Sequence, residues 1–234
     1  MLSRRNFIAM GGMAGLVACG QKLPDEPTRA ALAQPAPNFP PLPDFYQAIT
    51  DEKFPIPAIE EGSLSPEYWR QKVTNPWPDR THGSIVIDPD AALLYFVETP
   101  DSATRYGVSV GAAGFDWNGT ARLQFWRSWP RWNVPDTMVA RRPELAPYSV
   151  ANGGMDAGPE NPLGARALYL FQNGKDTLYR VHGDASSREL GKPVSSGCIR
   201  MLNQDVIHLN DRAVHGADVT VLPSIKPSKL TQLY

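Results

Sequence analysis

A mainly β domain with one or two short helices is the fold class the sequence predicts, and three observations predict it. From about residue 83 the chain breaks into short runs rich in β-branched and aromatic residues, each bounded by Asp, Pro or Gly. Two of these runs flank Asn173-Gly174, residues that accept the left-handed backbone of a tight hairpin. Near the end of the chain a single stretch changes from alternating to helical spacing.

Taken in order, the chain opens with Arg4 and Arg5 ahead of an apolar run over 7–18. That run is about 12 residues long, too short to span the ~30 Å hydrocarbon of a bilayer. Ser3-Arg4-Arg5-Asn6-Phe7-Ile8 looks like a twin-arginine export signal, and Leu16-Val17-Ala18-Cys19 resembles a lipobox. Residues 1–19 are therefore expected to be a signal peptide, with Cys19 becoming the lipidated first residue after cleavage. Twelve of the 23 prolines crowd into 23–78, where they favour extended backbone over helix. Residues 20–43 read as a Pro-rich tether. Residues 44–80 read as an irregular N-terminal arm, packed on the domain through Phe45, Tyr46, Tyr68, Trp69 and Trp77.

The domain itself is expected over 81–223, with strands at 84–88, 93–98, 106–111 and 120–126 and a hairpin of 166–171 with 177–182. The stretch 127–163 is long for a plain connection and carries Trp129, Trp132 and Tyr148, so it is expected to cap a cleft. A helix follows, with Asn203 as its N-cap, Asp205 favouring the N-terminal dipole, and Val206, Leu209 and Ala213 on one face before Gly216. A last strand covers 218–222, and 224–234 is a tail. A net charge of −1 offers no basic stripe, so no nucleic-acid partner is expected.

The chain has two cysteines, and loss of the signal leaves Cys198 without a disulfide partner in an oxidising compartment. The ordinary reading of a lone cysteine is a buried structural thiol. Here Ser195, Ser196 and Gly197 precede it and Arg200 follows, which is poor lining for an apolar slot. His182 closes the strand before this turn. An imidazole beside a thiol draws off its proton, and the thiolate is a nucleophile. Small residues around Cys198 leave room for an extended substrate, and turn N–H groups suit an oxyanion. His-Gly occurs three times, but His82 and His215 have structural readings, and His208 lies within the helix. A papain-like protease fits poorly because its Cys precedes its His. His182 and Cys198 lack companions at metal-ligand spacing, so no metal or cofactor is expected.

His182-Gly183 with Ser196-Gly197-Cys198-Ile199-Arg200-Met201, Asn203 and Asp205 resembles the signature of the YkuD-type L,D-transpeptidases, and the stretch from Asn161 to Tyr169 resembles the segment entering the preceding strand. The resemblance covers about 83–222 and implies a YkuD-like β-sandwich catalytic domain. Some relatives carry His where Ser196 stands. The resemblance implies Cys198 as nucleophile, His182 as general base and then acid, and the Gly183 carbonyl as the group orienting the ring. It implies an oxyanion site at Gly197 and Cys198, a turn shaped by Ser196, and Arg200 organising the site or holding a substrate carboxylate. The substrate class implied is the peptidoglycan stem peptide, with release of D-Ala and transfer to an amine, as cross-link or as protein anchoring. A hydrolase on the same acyl-enzyme and a non-catalytic wall-binding lipoprotein stay open. The expected setting is the periplasm, on a lipid anchor, the outer membrane ahead of the inner. An outer-membrane protein or lipoprotein is a possible acyl acceptor there, and the cellular role is cell-wall biogenesis and cell shape.

Overall fold

The structure, a computed structural model, describes residues 39–111, 118–194 and 198–225. The signal peptide with Cys19, most of the tether, Ser196, Gly197 and the tail from 226 lie outside the described residues. The arm begins with a 3-10 turn at Asp44–Tyr46 and a second at Pro66–Tyr68. Then come β1 (Gln71–Thr74), β2 (Ile85–Asp88), β3 (Leu93–Val97), β4 (Ser102–Gly107), β5 (Ser109–Gly111) and β6 (Gly119–Ser128). The stretch after β6 holds α1 (Asp136–Arg141) and a 3-10 segment at Pro143–Tyr148. The chain closes with β7 (Arg166–Gln172), β8 (Lys175–His182), β9 (Pro193–Val194), β10 (Ile199–Arg200), α2 (Asn203–Asn210) and β11 (Asp218–Val221). The domain is mostly β with few short helices, as expected.

Among the described residues these strands form one hydrogen-bonded order, β1-β4-β3-β2-β11-β6-β7-β8-β10-β5-β9. β4 and β5 are separated in the chain by Val108 alone, yet stand near opposite ends of that order. The sheet must therefore bend until its two ends meet. One core lies inside the bend: Ile85, Ile87, Leu94, Phe96 and Tyr106 from one end pack with Leu123, Leu168, Val181 and Ile199 from the other. Each fully buried aliphatic side chain there contributes about 1.5–3 kcal/mol. The Asn-Gly hairpin forms as its sequence demands, with φ of 52° at Asn173 and 74° at Gly174.

Three local expectations change. The run 106–111 is two strands rather than one, because β4 pairs with β3 while β5 leaves for β10. The arm is not wholly irregular, since β1 pairs antiparallel with β4 over four residues. Asn203 does not cap α2; the cap position is Leu202, with no side-chain cap bond. The Asn203 side chain instead bridges two loops, as described below.

The arm shares the domain's interior. Leu42, at the end of the expected tether, joins Tyr46 and Leu64 of the arm in packing with Ala185, Leu190 and Leu202, while Ile56 packs with Trp129 and Ala165. Two polar clasps hold it. The Tyr46 hydroxyl donates to Asp205 at 3.1 Å and accepts the Arg70 N–H at 2.8 Å, with the Arg70 guanidinium 3.7 Å from the same carboxylate. Glu52 binds Arg166 and Trp129.

Candidate active site

β8 and β10 bring the chemistry together. They pair in parallel, with Ile199 opposite Val181 and Arg200 opposite His182. Residues paired across a sheet share a face, and alternate residues of a strand return to it. Val181 and Ile199 point into the core, fully buried. Arg180, His182 and Arg200 therefore occupy the other face. Cys198, one step before β10, returns to that face at the level of Arg180. Its carbonyl accepts the Gly111 N–H of β5 at 3.1 Å, and Met201 N–H donates to the His182 carbonyl at 2.8 Å, so the strand is pinned on both sides.

His182 is buried, 4% exposed, and its Nδ1 lies 2.9 Å from the Gly183 carbonyl. Burial first, then the Arg200 and Arg180 charges, push its pKa down to about 3, against the pull of the Gly183 and Pro162 carbonyls. Cys198 is a free thiol of intermediate exposure. Burial raises its pKa, and the Arg180 main-chain N–H and the Arg180 and Arg200 guanidiniums oppose the rise. The same two arginines thus act on both groups. At neutral pH the site holds a neutral imidazole and a protonated thiol.

Arg200 reaches across to the loop after His182. Its guanidinium donates to the Asp184 carbonyl at 2.7 Å and lies 3.5 Å from the Glu189 carboxylate and 3.9 Å from that of Asp184. These contacts tie the Arg200 side chain to the loop that follows His182. Asp184 has its pKa raised to about 6, by burial and by the Glu189 and Glu160 charges against the pull of Arg200.

Close backbone approach explains the glycines behind the ring. A Cβ on Gly183 would collide with the Asn203 side chain, and one on Gly164 would meet both that side chain and the Asp184 N–H, at a φ of 61° that already favours glycine. The Asn203 Oδ1 occupies this gap and accepts the N–H groups of Ala165 at 2.9 Å and Asp184 at 3.2 Å. The spacing that suggested an N-cap concealed this role. Arg180 was also missed, although its position two residues before His182 on a strand places it on the same face.

The stretch 127–163 is internally bonded: Trp132 bridges Met155, Val134 bridges Ser149, and the Asn161 side chain ties Pro130 to Asp156. Trp129 is buried at its root, whereas Trp126 is 37% exposed. Trp129 and Pro159 join arm residues Ile56 and Ile59, with Asp184 and Asn203, around a cavity of about 460 Å³ beside the His182-Gly183 corner. Among the described residues no group of three or more His, Cys, Asp or Glu is placed to hold a metal ion.

Comparison with known proteins agrees in scope with this site. Residues 82–221 match the YkuD family, described as the L,D-transpeptidase catalytic domain. The Probable L,D-transpeptidase ErfK/SrfK of Escherichia coli strain K12 is 32% identical over 161 residues, 66% of this chain and 48% of the relative. The Probable L,D-transpeptidase YbiS of the same strain is 29% identical over 158 residues, with the same shares. The chain thus spans about half the length of the curated relatives it matches. Among solved structures, a protein named Probable carnitine operon oxidoreductase caia from Brucella melitensis is 45% identical, covering 68% of this chain and 97% of that one, with a TM-score of 0.46.

Proposed function

The chain belongs to the YkuD family of L,D-transpeptidase catalytic domains, and from that premise we propose that it acylates Cys198 with a peptidoglycan stem peptide and passes the acyl group to an amine. The observation that supports this most is the presentation of His182 and Cys198 on one face of the paired strands β8 and β10. Donation from Nδ1 to Gly183 leaves Nε2 as the basic nitrogen of the ring. In the forward step the thiol proton passes to His182 as Sγ bonds the carbonyl carbon between the third stem residue and D-Ala. His182 then protonates the nitrogen of D-Ala, the C–N bond breaks, and a thioester remains. An acceptor amine attacks the thioester, loses its proton to His182, and Sγ leaves to be reprotonated. Backbone N–H groups at Gly197 and Cys198 would carry the transient oxyanion. Arg200 would hold the loop of Asp184 against the base.

Mass analysis of muropeptides after incubation of purified protein with tetrapeptide stems tests this. Free D-Ala and dimers joined through the third residues are expected. Cys198→Ala should abolish both, and His182→Ala should slow them at least ~10²-fold. Tripeptide without dimer would convert the reading to a hydrolase. Unchanged stems, with no adduct on Cys198 after exposure to a carbapenem, would remove the catalytic account and leave wall binding.

The leader supports a further part of the reading: an exported protein lipidated at Cys19, held in the periplasm at a membrane face and acting on the wall or on a neighbouring outer-membrane protein or lipoprotein. Its support is the basic start, the short apolar run and Leu16-Val17-Ala18-Cys19.

A further inference from the structure

We propose that Glu52, in the N-terminal arm and outside the matched domain, is a positioning residue for the His182 imidazole. The inference rests on His182 acting as the base. Three donors converge on the Glu52 carboxylate: two guanidinium nitrogens of Arg166, at 2.5 and 3.0 Å, and the Trp129 indole N–H at 2.8 Å. Arg166 and Trp129 are both buried, at 8% and 7% exposure. A bidentate, largely buried pair of this kind fixes geometry as well as charge.

What it fixes is the seat of the base. The Arg166 carbonyl accepts the Gly183 N–H at 3.1 Å, and the Leu163 carbonyl accepts the same N–H at 3.1 Å. The Ala165 carbonyl accepts the Trp129 N–H and an Arg166 guanidinium N–H, each at 2.8 Å. The Ala165 N–H shares the Asn203 oxygen with the Asp184 N–H. Gly183 then offers its own carbonyl to the ring. From Glu52 the bonds run through Arg166 and Ala165 to the backbone that follows His182, at Gly183 and Asp184.

Backbone conformation marks the same corner independently. Trp129 has a φ of 44° and Asp184 a φ of 65°, left-handed positions that non-glycine residues rarely occupy. Such conformations persist where the surroundings over-determine them, and they gather at functional sites. Trp129 is held by Glu52, by Ala165, by an edge contact with Phe54 at 4.9 Å and by packing with Ile56, and all of these but Ala165 belong to the arm. Removing Glu52 would leave the Arg166 charge buried without its partner, to be relieved by water or by movement of the corner. Either change reaches His182, whose low pKa depends on burial.

The test is carbapenem acylation of Cys198 by the full chain, followed by mass spectrometry across pH at temperatures well below unfolding. In the wild type, saturating acylation should need His182 and persist to acid pH. Glu52→Ala should lower the saturating rate at least tenfold, leave half-saturation within about twofold, and move the acid limb up towards the free-imidazole value of about 6.5. Glu52→Gln keeps an acceptor oxygen and should fall between the two. Trp129→Phe removes one donor and should give a smaller shift the same way; it serves if the Glu52→Ala chain does not fold. Glu52 variants with lowered melting temperature but unchanged saturating rate and acid limb would overturn the inference. Wild-type acylation that is absent, or indifferent to His182→Ala, would overturn the reading of the site and this inference with it.

Discussion

Two neutral partners define the chemistry at the scale of single residues. His182 is held to about 3 and the Cys198 thiol above its ordinary value, so no standing thiolate–imidazolium pair exists at neutral pH. On the proposed reading, activation then occurs as the substrate arrives, when His182 takes the proton from sulfur. Alkylation of Cys198 by iodoacetamide, a small probe that brings no base, should accordingly rise with pH by roughly tenfold per unit below the thiol pKa and continue past about pH 9. A plateau between about pH 5 and 8 would show a resident ion pair and contradict this. Arg180 and Arg200 set the balance, since each disfavours a charged imidazole and favours a charged thiolate. For a proton moving from sulfur to imidazole the two effects oppose each other: one favours its departure and the other disfavours its arrival.

The elements that carry these residues were legible where their sequence repeats a period long enough to read. β2, β3, β6, β7 and β8 were read from β-branched and aromatic runs, and the β7–β8 turn from Asn173-Gly174. β9 and β10 have two residues each, too few for any period, and β1 (Gln-Lys-Val-Thr) lacks an apolar face. Pairing with a neighbour defines all three. The strand that follows Cys198 was therefore invisible, although the cysteine was not. Asn203 was misread for a related reason: an Asn before a helical run suits a cap, and only the fold shows that Gly164 and Gly183 have cleared space for its side chain. The arm's clasp at α2 makes a measurable claim. Tyr46 donates to Asp205, which is fully buried and whose pKa burial raises to about 7, and it accepts from Arg70. Tyr46→Phe removes both bonds while keeping the ring, and should cost about 1–3 kcal/mol, read as a lower midpoint in urea. An unchanged midpoint would show that the clasp contributes nothing net.

As proposed, the whole molecule joins a wall-directed catalytic domain to an export leader read from sequence alone. Labelling cells with a fatty-acid probe and separating membranes should find the label on the wild-type chain and none on Cys19→Ser, which should leave the membrane fraction. Equal labelling of both would refute lipidation at that residue. The class of fold was plain from composition and spacing, but the order of its strands was not. Strand order depends on which distant edges meet, and no local pattern encodes that. Val108 shows the point most sharply. It links two strands at opposite ends of the sheet, and the second of them, β5, supplies the N–H of Gly111 that holds the Cys198 carbonyl. The strand end that carries Cys198 is thus also secured by β5, a contact between residues far apart in the chain. The pairing of β8 with β10 sets His182 and Cys198 on one face, and the bond from Gly111 anchors Cys198 on its other side. On the proposed reading, sheet closure is then also a form of latency: a chain whose bend is open would hold the thiol by one neighbouring strand instead of two.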